Sequence, residues 1–368
     1  ELPLMTLFNS PTIDALAAEL DGRATDQAGH VVAIRKLPRD GRLPLSFAQQ
    51  RLWFLDELSP GDPMYNVPWV MRLRGEPDRR ALQKALDQLI ARHESLRTIF
   101  VTRDDDAVQV ILPEVYVAIR EDDLSNADEA TLQQHITELA QVNMNLAEGP
   151  LIYLTLVKVG DEDYLLSLIV HHIIFDAWSH GVFMNEMATL YNAAKAGKSV
   201  SLPPLAIEFA DYAGWQREWL GSDDFKHQLS YWKNKLGDAP YTLDLPTDHP
   251  RPPVQTSNGA NISRMLAPEL RDGILRLAEA EGCSLFMALL ATFNLLMSRY
   301  SGQDDLLVGT PISGRKRSEL EKIVGFFLHT LVIRADLSGS PTFREFLGRT
   351  RQSVLEAFAH QEMPFETL

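Results

Sequence analysis

The sequence predicts a mixed α/β protein with two lobes, each built around its own hydrophobic core. The chain has 368 residues, which exceeds the usual size of a single-core domain. Hydrophobic residues make up 45% of it and charged residues 23%, as in ordinary globular proteins. From Leu45 onwards, segments with the twofold periodicity of strands alternate with segments of helical periodicity. Together these observations favour two α/β lobes joined by a crossover.

The predicted elements follow one another along the chain. Strand patterns cover residues 69–74, 96–101, 108–112, 151–159 and 164–170, and helical patterns cover 82–93, 131–146 and 183–194. The region 200–260 is rich in proline and aromatic residues, and we interpret it as the crossover. After it, the patterns predict helices following Pro268, over 285–299 and over 342–360, with strands over 305–310 and 324–336.

Charge and cysteine content exclude several classes of protein. The net charge of −15, from 50 acidic and 35 basic side chains, disfavours binding to nucleic-acid phosphates. Cys283 is the only cysteine, so no internal disulfide can form, and a reducing, cytoplasmic compartment is expected. The longest apolar stretch, residues 285–297, is too short to span a bilayer, and no signal segment opens the chain.

Two adjacent histidines and an aspartate follow the most apolar predicted strand. Because strand side chains alternate, His171 and His172 point to opposite faces, so one can reach a cleft while the other faces the core. Imidazole, whose ordinary pKa is about 6.5, is suited to proton transfer near neutrality. Opposite faces disfavour a shared metal ion, so no metal site is predicted. Spacing alone leaves a catalytic histidine and a hydrogen-bonded structural pair as open interpretations, with Asp176 bracing the ring or the turn.

The segment HHIIFDAWS, residues 171–179, resembles the HHxxxDG signature of the condensation domains of nonribosomal peptide synthetases. Five further segments resemble the other motifs of that family in the same order: residues 46–53, 92–100, 211–216, 324–330 and 360–366. Coverage runs from residue 44 to the end of the chain. Three features depart from the family pattern. Ala177 replaces a glycine, His329 replaces an asparagine, and the chain stops just after the sixth motif, so the last elements of the second lobe are expected to be missing.

The resemblance implies a fold and a division of the chain. Condensation domains consist of two chloramphenicol-acetyltransferase-like lobes arranged as a V-shaped pseudo-dimer. Residues 44–215 are expected to form the N-terminal lobe and residues 216–368 the C-terminal lobe. Residues 1–20 resemble the C-terminal tail of a peptidyl carrier protein, which makes residues 21–43 a linker.

The resemblance also implies a reaction and roles for the site residues. The family forms an amide bond when a carrier-bound aminoacyl amine attacks a carrier-bound donor thioester. His172 is expected to face the cleft and to accept a proton from the amine or orient it, whereas His171 is structural. Asp176 is expected to hold a loop together with Arg315 from the other lobe, and a solvated charge at the end of a strand stays open as the alternative for Arg315. The remaining site residues are Ala177, whose N–H would face the developing oxyanion, Trp178, Ser179 and, in the substrate channel, His329.

Partners and compartment follow from the same resemblance. The chain is expected to work with upstream and downstream peptidyl carrier domains and an adjacent adenylation domain, as a monomeric, cytoplasmic piece of a larger synthetase without nucleic-acid or membrane contacts. The 4'-phosphopantetheine arms of the carriers deliver both substrates, and no cofactor is bound covalently to this chain. Trp178 precedes Ser179 and both histidines are present, which indicates the subtype with an L-configured donor. Two alternatives stay open: an acyltransferase that uses free coenzyme A, and a catalytically silent domain that recruits partner enzymes.

Overall fold

The computed structural model describes residue 6 and residues 12–23, 33–254, 256 and 259–368. These residues form two compact units. The N-terminal unit contains the described residues of 32–222 together with Ser313–Leu328. The C-terminal unit contains those of 1–31 together with Asp223–Ile312 and His329–Leu368. Both units contain helices and strands, so the predicted mixed α/β class is confirmed.

Helices and strands alternate along the chain. In order, the first elements are α1 (Ile13–Arg23), β1 (Leu43–Pro44), α2 (Phe47–Leu58), β2 (Asn66–Arg74), α3 (Arg79–Arg92), β3 (Thr98–Arg103), β4 (Asp106–Ile111), β5 (Arg120–Asp123), α4 (Glu129–Ala140), β6 (Ile152–Gly160), β7 (Asp163–His171), α5 (Ala177–Lys195) and α6 (Phe209–Trp219). They are followed by α7 (Asp223–Leu236), α8 (Pro268–Ala280), α9 (Leu285–Ser301), β8 (Asp305–Ile312), β9 (His329–Asp336) and α10 (Phe343–Ala359). Short 3₁₀ turns join several of these elements.

Most predicted elements are present, and their bounds differ where the local pattern is ambiguous. The predicted strand over 324–336 begins only at His329, because side chains at Ser179 and Asp176 bind the preceding backbone at Gly325 and Phe327. The predicted helix over 131–146 ends at Ala140. The region interpreted as a crossover contains two full helices, α6 and α7. The strand β5 has the sequence REDD, which carries no strand pattern.

The N-terminal unit contains a four-stranded sheet that ends beside the two histidines. Its strand order is β2-β7-β6-β5, with β5 parallel to β6 and the other neighbours antiparallel. The strand β7 lies inside this sheet and is buried from Leu166 to His171. A strand covered on both faces needs apolar side chains on both, which explains its nearly continuous apolar sequence. A second sheet of this unit has the order β1-β4-β3.

The turn that follows β7 is held by side chains from another part of the same unit. Gln49 completes the capping box at the start of α2 and also donates through Nε2 to the Ile173 carbonyl, 3.2 Å away. The N–H of Phe47 donates to the side-chain oxygen of Gln216 in α6 at 3.1 Å. Residues of the first and fourth sequence motifs thus connect α2, α6 and the turn that begins at His172.

The C-terminal unit is organised around the two-stranded antiparallel sheet β8-β9. Helices α9 and α10 pack against each other, and α10 packs on β9. One core cluster of this unit includes Trp232, Leu290, Ile333, Val354 and Leu355. The indole Nε1 of Trp232 donates to the carbonyl of His360 at 3.0 Å, which joins α7 to the end of α10.

No single helix in the described part of the chain is long and apolar enough to cross a membrane. By length and composition, α8 and α9 meet that requirement only as a pair, and the two are bent by 103° relative to each other. The apolar character of α9 has a second explanation, because Met287, Leu290 and Ala291 are buried in the C-terminal unit.

The division of the chain differs from the predicted lobes in one segment. Residues Ser313–Leu328 belong to the N-terminal unit, although the sequence places them in the second lobe. Side-chain hydrogen bonds from α5 hold this segment there. Of the predicted carrier tail and linker, residues 1–5, 7–11 and 24–32 lie outside the described residues. Helix α1 is present, and its origin in a carrier protein stays a prediction.

Arg39 anchors the described end of the predicted linker. Its guanidinium donates to Asp211 Oδ1 at 2.6 Å and to Glu94 Oε2 at 2.9 Å. The N–H of Leu37 also donates to Asp211 Oδ1, 2.8 Å away. Glu94 and Asp211 belong to the second and fourth motifs, so these two motifs share a structural task. The residues just before β1 are therefore bound to the N-terminal unit.

Glu208 lies beside this cluster, and its carboxyl group has a raised pKa. Burial and the neighbouring Glu94 carboxylate raise the pKa of Glu208 from 4.5 to about 8. At a pH between 4.5 and about 8, Glu208 is ionised in the unfolded chain and protonated in the folded protein. The free energy of unfolding therefore falls as the pH rises through this range. We expect Glu208→Gln to remove about 1–3 kcal/mol of this pH dependence.

Urea unfolding at about pH 5 and about pH 9 measures this effect. The variant and the wild type should be similar at the lower pH, and the variant should be the more stable at the higher pH. Glu114→Gln, at an exposed position, is the matched control and should leave the pH dependence unchanged. An identical pH dependence in Glu208→Gln and wild type would show that Glu208 ionises normally.

Candidate active site

The last residue of β7, His171, has a buried ring. Its Nδ1 accepts a hydrogen bond from the N–H of Ile173 at 3.1 Å, so the hydrogen of the neutral ring is on Nε2. Burial, reinforced by the neighbouring His172, lowers the pKa of His171 to about 4. The residue pairs with Asn66 of β2 inside the sheet. An enclosed, uncharged imidazole of this kind is suited to a structural role.

His172 leaves the strand and begins the 3₁₀ turn His172–Ile174. The two rings differ in environment because the chain turns here, and not because both residues continue a strand. The His172 ring is half-buried, and its Nδ1 lies 2.6 Å from the carbonyl oxygen of Phe175. A carbonyl oxygen only accepts, so Nδ1 carries the hydrogen and Nε2 of the neutral ring is the unprotonated nitrogen. No residue that the structure describes is hydrogen-bonded to that Nε2.

The carboxylate of Asp176 is occupied by four hydrogen bonds. It caps α5 by accepting from the N–H of Ser179 at 2.7 Å. Its two oxygens also accept from Arg315 Nη2, at 3.0 and 3.3 Å, and from the N–H of Phe327 at 3.1 Å. The side chain is 3% exposed. Asp176 therefore joins α5 to the segment Ser313–Leu328, and it braces the turn and the loop instead of the imidazole.

Arg315 is the charged partner of Asp176 within the N-terminal unit. Its Nη1 donates to the carbonyls of Leu320 and Ile323 at 2.6 and 2.7 Å. The guanidinium carbon lies 4.0 Å from the centre of the Phe327 ring, a favourable cation–π distance. Burial lowers the pKa of Arg315, and the Asp176 carboxylate opposes that shift. The prediction that Arg315 comes from the other lobe is wrong, because its segment packs in the same unit as Asp176.

The hydroxyl of Ser179 makes two hydrogen bonds with the backbone of Gly325. The Ser179 hydroxyl donates to the Gly325 carbonyl at 2.9 Å and accepts from the Gly325 N–H at 3.0 Å. Arg315 Nη2 donates to the same hydroxyl at 2.9 Å. A Cβ added at residue 325 would lie 2.1 Å from a ring carbon of Phe209. This close approach of the backbone to an aromatic ring requires glycine.

We expect Gly325→Ala to lower the free energy of unfolding by about 1–3 kcal/mol, because the methyl group must displace the Phe209 ring or the bonded backbone. Urea denaturation measures the change. Gly348→Ala is the matched control, since Gly348 lies in α10 with no atom near its missing Cβ, and this variant should be neutral or slightly more stable. Equal stabilities of Gly325→Ala and wild type would contradict the close packing.

Ala177 and Trp178 begin α5 and are both exposed. Ala177 has helical backbone geometry and no positive φ, so alanine at this position causes no left-handed strain. The N–H groups of both residues have no hydrogen-bond partner in the described part of the chain, as is usual in the first turn of a helix. The indole Nε1 of Trp178 donates to the carbonyl of Glu321 at 2.8 Å. Trp178 is thus a further tie between α5 and the segment Ser313–Leu328.

His329 belongs to the C-terminal unit. It begins β9, where it pairs with Ile312 of β8, and it is buried. Burial lowers the pKa of His329 to about 4, so its ring is uncharged at neutral pH. Its place in a substrate channel stays a prediction.

Sequence reasoning misses two residues that contact the His172 ring. Phe175 contributes its backbone carbonyl, which every residue type has, so no sequence signal marks it. Phe326 packs against the imidazole with ring centres 4.7 Å apart. Its signal is the pair Phe326-Phe327 in the fifth motif, which the apolar pattern assigns to a buried core.

A family model described as the condensation domain matches residues 39–368. The chain belongs to the condensation-domain family. This condensation domain is 44% identical, over 372 residues and 100% of its length, to one of the subunits of linear gramicidin synthase from Brevibacillus parabrevis, and it spans 5% of that protein. It is similar to the crystal structure of the X-domain from teicoplanin biosynthesis, with 29% identity and a TM-score of 0.83 over 91% of this chain and 74% of the other. It is also similar to the crystal structure of the first condensation domain of the CDA synthetase, with 22% identity and a TM-score of 0.76 over 89% of this chain and 79% of the other.

The condensation-domain structures confirm the chloramphenicol-acetyltransferase-like fold class that the motifs predict. The matched region begins at residue 39 and thus includes Arg39, which anchors the residues before β1. The predicted carrier tail lies before the matched region. Because the synthase relative is far longer than this chain, the substrates and partners of the condensation domain are matters for proposal.

Proposed function

We propose that this condensation domain forms an amide bond between two carrier-bound substrates. The amine of an aminoacyl thioester attacks the carbonyl carbon of a donor acyl thioester, so a C–N bond forms and the C–S bond breaks. The amine gives up one proton and the departing thiolate takes one up, which balances the reaction without a further reactant. The observation that carries the proposal is the hydrogen bond from His172 Nδ1 to Phe175, which leaves the unprotonated Nε2 free for a substrate.

His172 acts on the attacking amine. Its Nε2 accepts a hydrogen bond from the amine, which aims the nitrogen lone pair at the thioester, or takes up the proton that the amine releases. Positioned groups of this kind accelerate proton transfer by about 10²–10⁴-fold. Holding two tethered substrates together contributes separately, because well-oriented groups reach effective concentrations of about 10⁵ M or more. A modest chemical contribution from the imidazole is therefore sufficient.

The first turn of α5 faces the charge that develops on the carbonyl oxygen. The unpaired N–H groups of Ala177 and Trp178 carry the partial positive charge of a helix N-terminus. Donors of this kind stabilise a developing oxyanion more than the ground-state carbonyl. Asp176, whose carboxylate is already occupied by protein donors, has no part in proton transfer and keeps this helix start in place.

The substrates arrive on 4'-phosphopantetheine arms of an upstream donor carrier domain and a downstream acceptor carrier domain, with an adenylation domain in the same synthetase. The 44% identity to a gramicidin synthase protein supports this assignment. A piece of a multidomain synthetase works in the cytoplasm, and we assign it as a monomer. The order Trp178-Ser179 supports an L-configured donor.

A recruitment role without catalysis is the second candidate function. It is supported by the similarity to the X-domain, which also has a structure in complex with OxyB from teicoplanin biosynthesis. The half-buried His172 with its unprotonated Nε2 favours catalysis, since a binding surface needs no such nitrogen. The third candidate function is that of an acyltransferase that uses free coenzyme A thioesters at the same site. An amide-formation assay distinguishes it from the other two.

The test is an amide-formation assay with two loaded carrier domains. The donor carrier is loaded with an L-aminoacyl group and the acceptor carrier with a second aminoacyl group, and mass spectrometry follows the dipeptidyl product on the acceptor arm. We expect product only when both carriers and this domain are present. Equal product from a free coenzyme A donor would identify the acetyltransferase-like alternative. Tight binding of the carriers without product, under conditions in which a related condensation domain turns over, would favour recruitment.

A further inference from the structure

The His172 ring is held on one face by an aromatic side chain from a distant part of the chain. Phe326 packs against it with ring centres 4.7 Å apart and ring planes inclined by 57°. The Phe326 side chain is almost fully buried, at 2% exposure. Tilted aromatic pairs at this distance are attractive beyond the area that they bury. The hydrogen bond from Nδ1 to Phe175 fixes one point of the imidazole, and the Phe326 ring limits rotation about that point.

Phe326 is itself fixed by the residues on both sides of it. The backbone of Gly325 is bonded twice to the Ser179 hydroxyl, and the N–H of Phe327 is bonded to Asp176. Residues 324–328 belong to no helix or strand. Their backbone groups are therefore hydrogen-bonded to side chains instead of to the backbone of a neighbouring strand. The buried Arg315 binds both Asp176 and Ser179 and completes the frame.

We infer that Phe326 is a positioning residue that keeps His172 Nε2 directed at the reacting amine. This inference rests on the proposed amide-forming function. A phenyl ring suits the task because it is flat and stiff, so it forms a wall that a branched aliphatic side chain cannot reproduce. The backbone from which Phe326 projects is fixed by Ser179, Asp176 and Arg315, so these residues affect the reaction indirectly.

The test compares Phe326→Leu with Phe326→Tyr. Leucine keeps an apolar side chain and loses the flat ring, whereas tyrosine keeps the ring. We expect Phe326→Leu to lower kcat for amide formation by about tenfold or more with KM for the acceptor carrier nearly unchanged, since small misplacements of a catalytic group are costly. Phe326→Tyr should keep most of the rate. Phe54→Leu, at a 56% exposed position in α2, is the matched control and should behave as wild type.

A second readout does not depend on turnover. Nuclear magnetic resonance of the histidine rings should show that the carbon-bound protons of His172 shift in Phe326→Leu, because the neighbouring ring current is lost, and broaden as the imidazole gains rotational freedom. Wild-type kcat in Phe326→Leu, unchanged His172 signals, or an equal loss of rate in the leucine and tyrosine variants would each overturn the positioning role. If wild-type protein forms no amide product, the proposed function fails, while the resonance experiment still decides whether Phe326 restrains His172.

Discussion

Replacing His172 with alanine is expected to lower the rate of amide formation between two loaded carrier domains by about 10²–10⁴-fold, with the fold intact. The ring is half-buried and makes one side-chain hydrogen bond, to the carbonyl of Phe175, so its loss leaves a small unfilled space at the surface of the N-terminal unit. The reaction loses the one nitrogen in this cluster that we assign to the attacking amine. Quenched-flow mixing of the carriers and mass spectrometry of the acceptor arm measure the rate.

The matched control is His249→Ala, at an exposed histidine of the C-terminal unit. It should leave both the rate and the melting temperature unchanged. The melting temperature of His172→Ala should lie close to that of the wild type, so that lost activity cannot be attributed to unfolding. Wild-type turnover by a folded His172→Ala protein would remove this residue from the mechanism, although the domain would still be an amide-forming enzyme.

Asp176→Asn is expected to have the largest effect on stability, about 3–5 kcal/mol in the free energy of unfolding. The substitution leaves the buried guanidinium of Arg315 without its counter-charge and turns a pure acceptor into a group with two N–H donors. At least one of the three donor groups that converge on Asp176, which are Arg315 Nη2 and the N–H groups of Ser179 and Phe327, then loses its acceptor. Urea denaturation measures the loss, and soluble yield should fall in parallel.

Asp161→Asn, in the exposed turn between β6 and β7, provides the control for the same chemical change without burial. Its stability should match that of the wild type. The fraction of Asp176→Asn that stays folded should retain a measurable rate of amide formation, because the carboxylate is hydrogen-bonded to Ser179, Arg315 and Phe327 and not to the His172 ring. A normal unfolding curve combined with lost activity would reverse the assignment and give Asp176 a direct part in the chemistry.

The sequence predicted the identity of the central residues better than their geometry. The HHxxxD segment and the motifs around it identify His171, His172 and Asp176 as a group, and the structure shows that the two rings have different environments. The reason differs from the prediction. Strand alternation was expected to separate the rings, whereas His172 already belongs to a 3₁₀ turn, which a run of apolar residues does not reveal.

The surroundings of His172 could not be predicted, because they depend on contacts between residues far apart in sequence. The run from Val324 to Ile333 is apolar throughout except for Gly325, His329 and Thr330, and its local pattern favours one continuous strand. The strand nevertheless begins at His329, since Ser179 and Asp176 hold the preceding backbone in another path. For the same reason, the place of Phe326 in the fifth motif did not indicate its contact with His172.

Helices α6 and α7 illustrate a second limit of local patterns. Prolines on either side of the two helices and tryptophans within them made the region 200–260 resemble an irregular crossover, yet both helices are regular. In α6 nearly every side chain is buried, including Asp211 and Gln216. Because α6 exposes so little of its surface, its sequence lacks the amphipathic periodicity that marks a surface helix.

The tautomer of the His172 ring gives the most direct test of the proposed mechanism. Protein labelled with ¹⁵N in the histidine rings, studied by long-range ¹H–¹⁵N correlation with His172→Ala as the reference for assignment, reports which nitrogen carries the hydrogen in the neutral ring. We predict a protonated Nδ1 and an unprotonated Nε2, as the bond to the Phe175 carbonyl requires. A neutral ring with its hydrogen on Nε2 would contradict this mechanism, because the nitrogen offered to the amine could then no longer accept a proton.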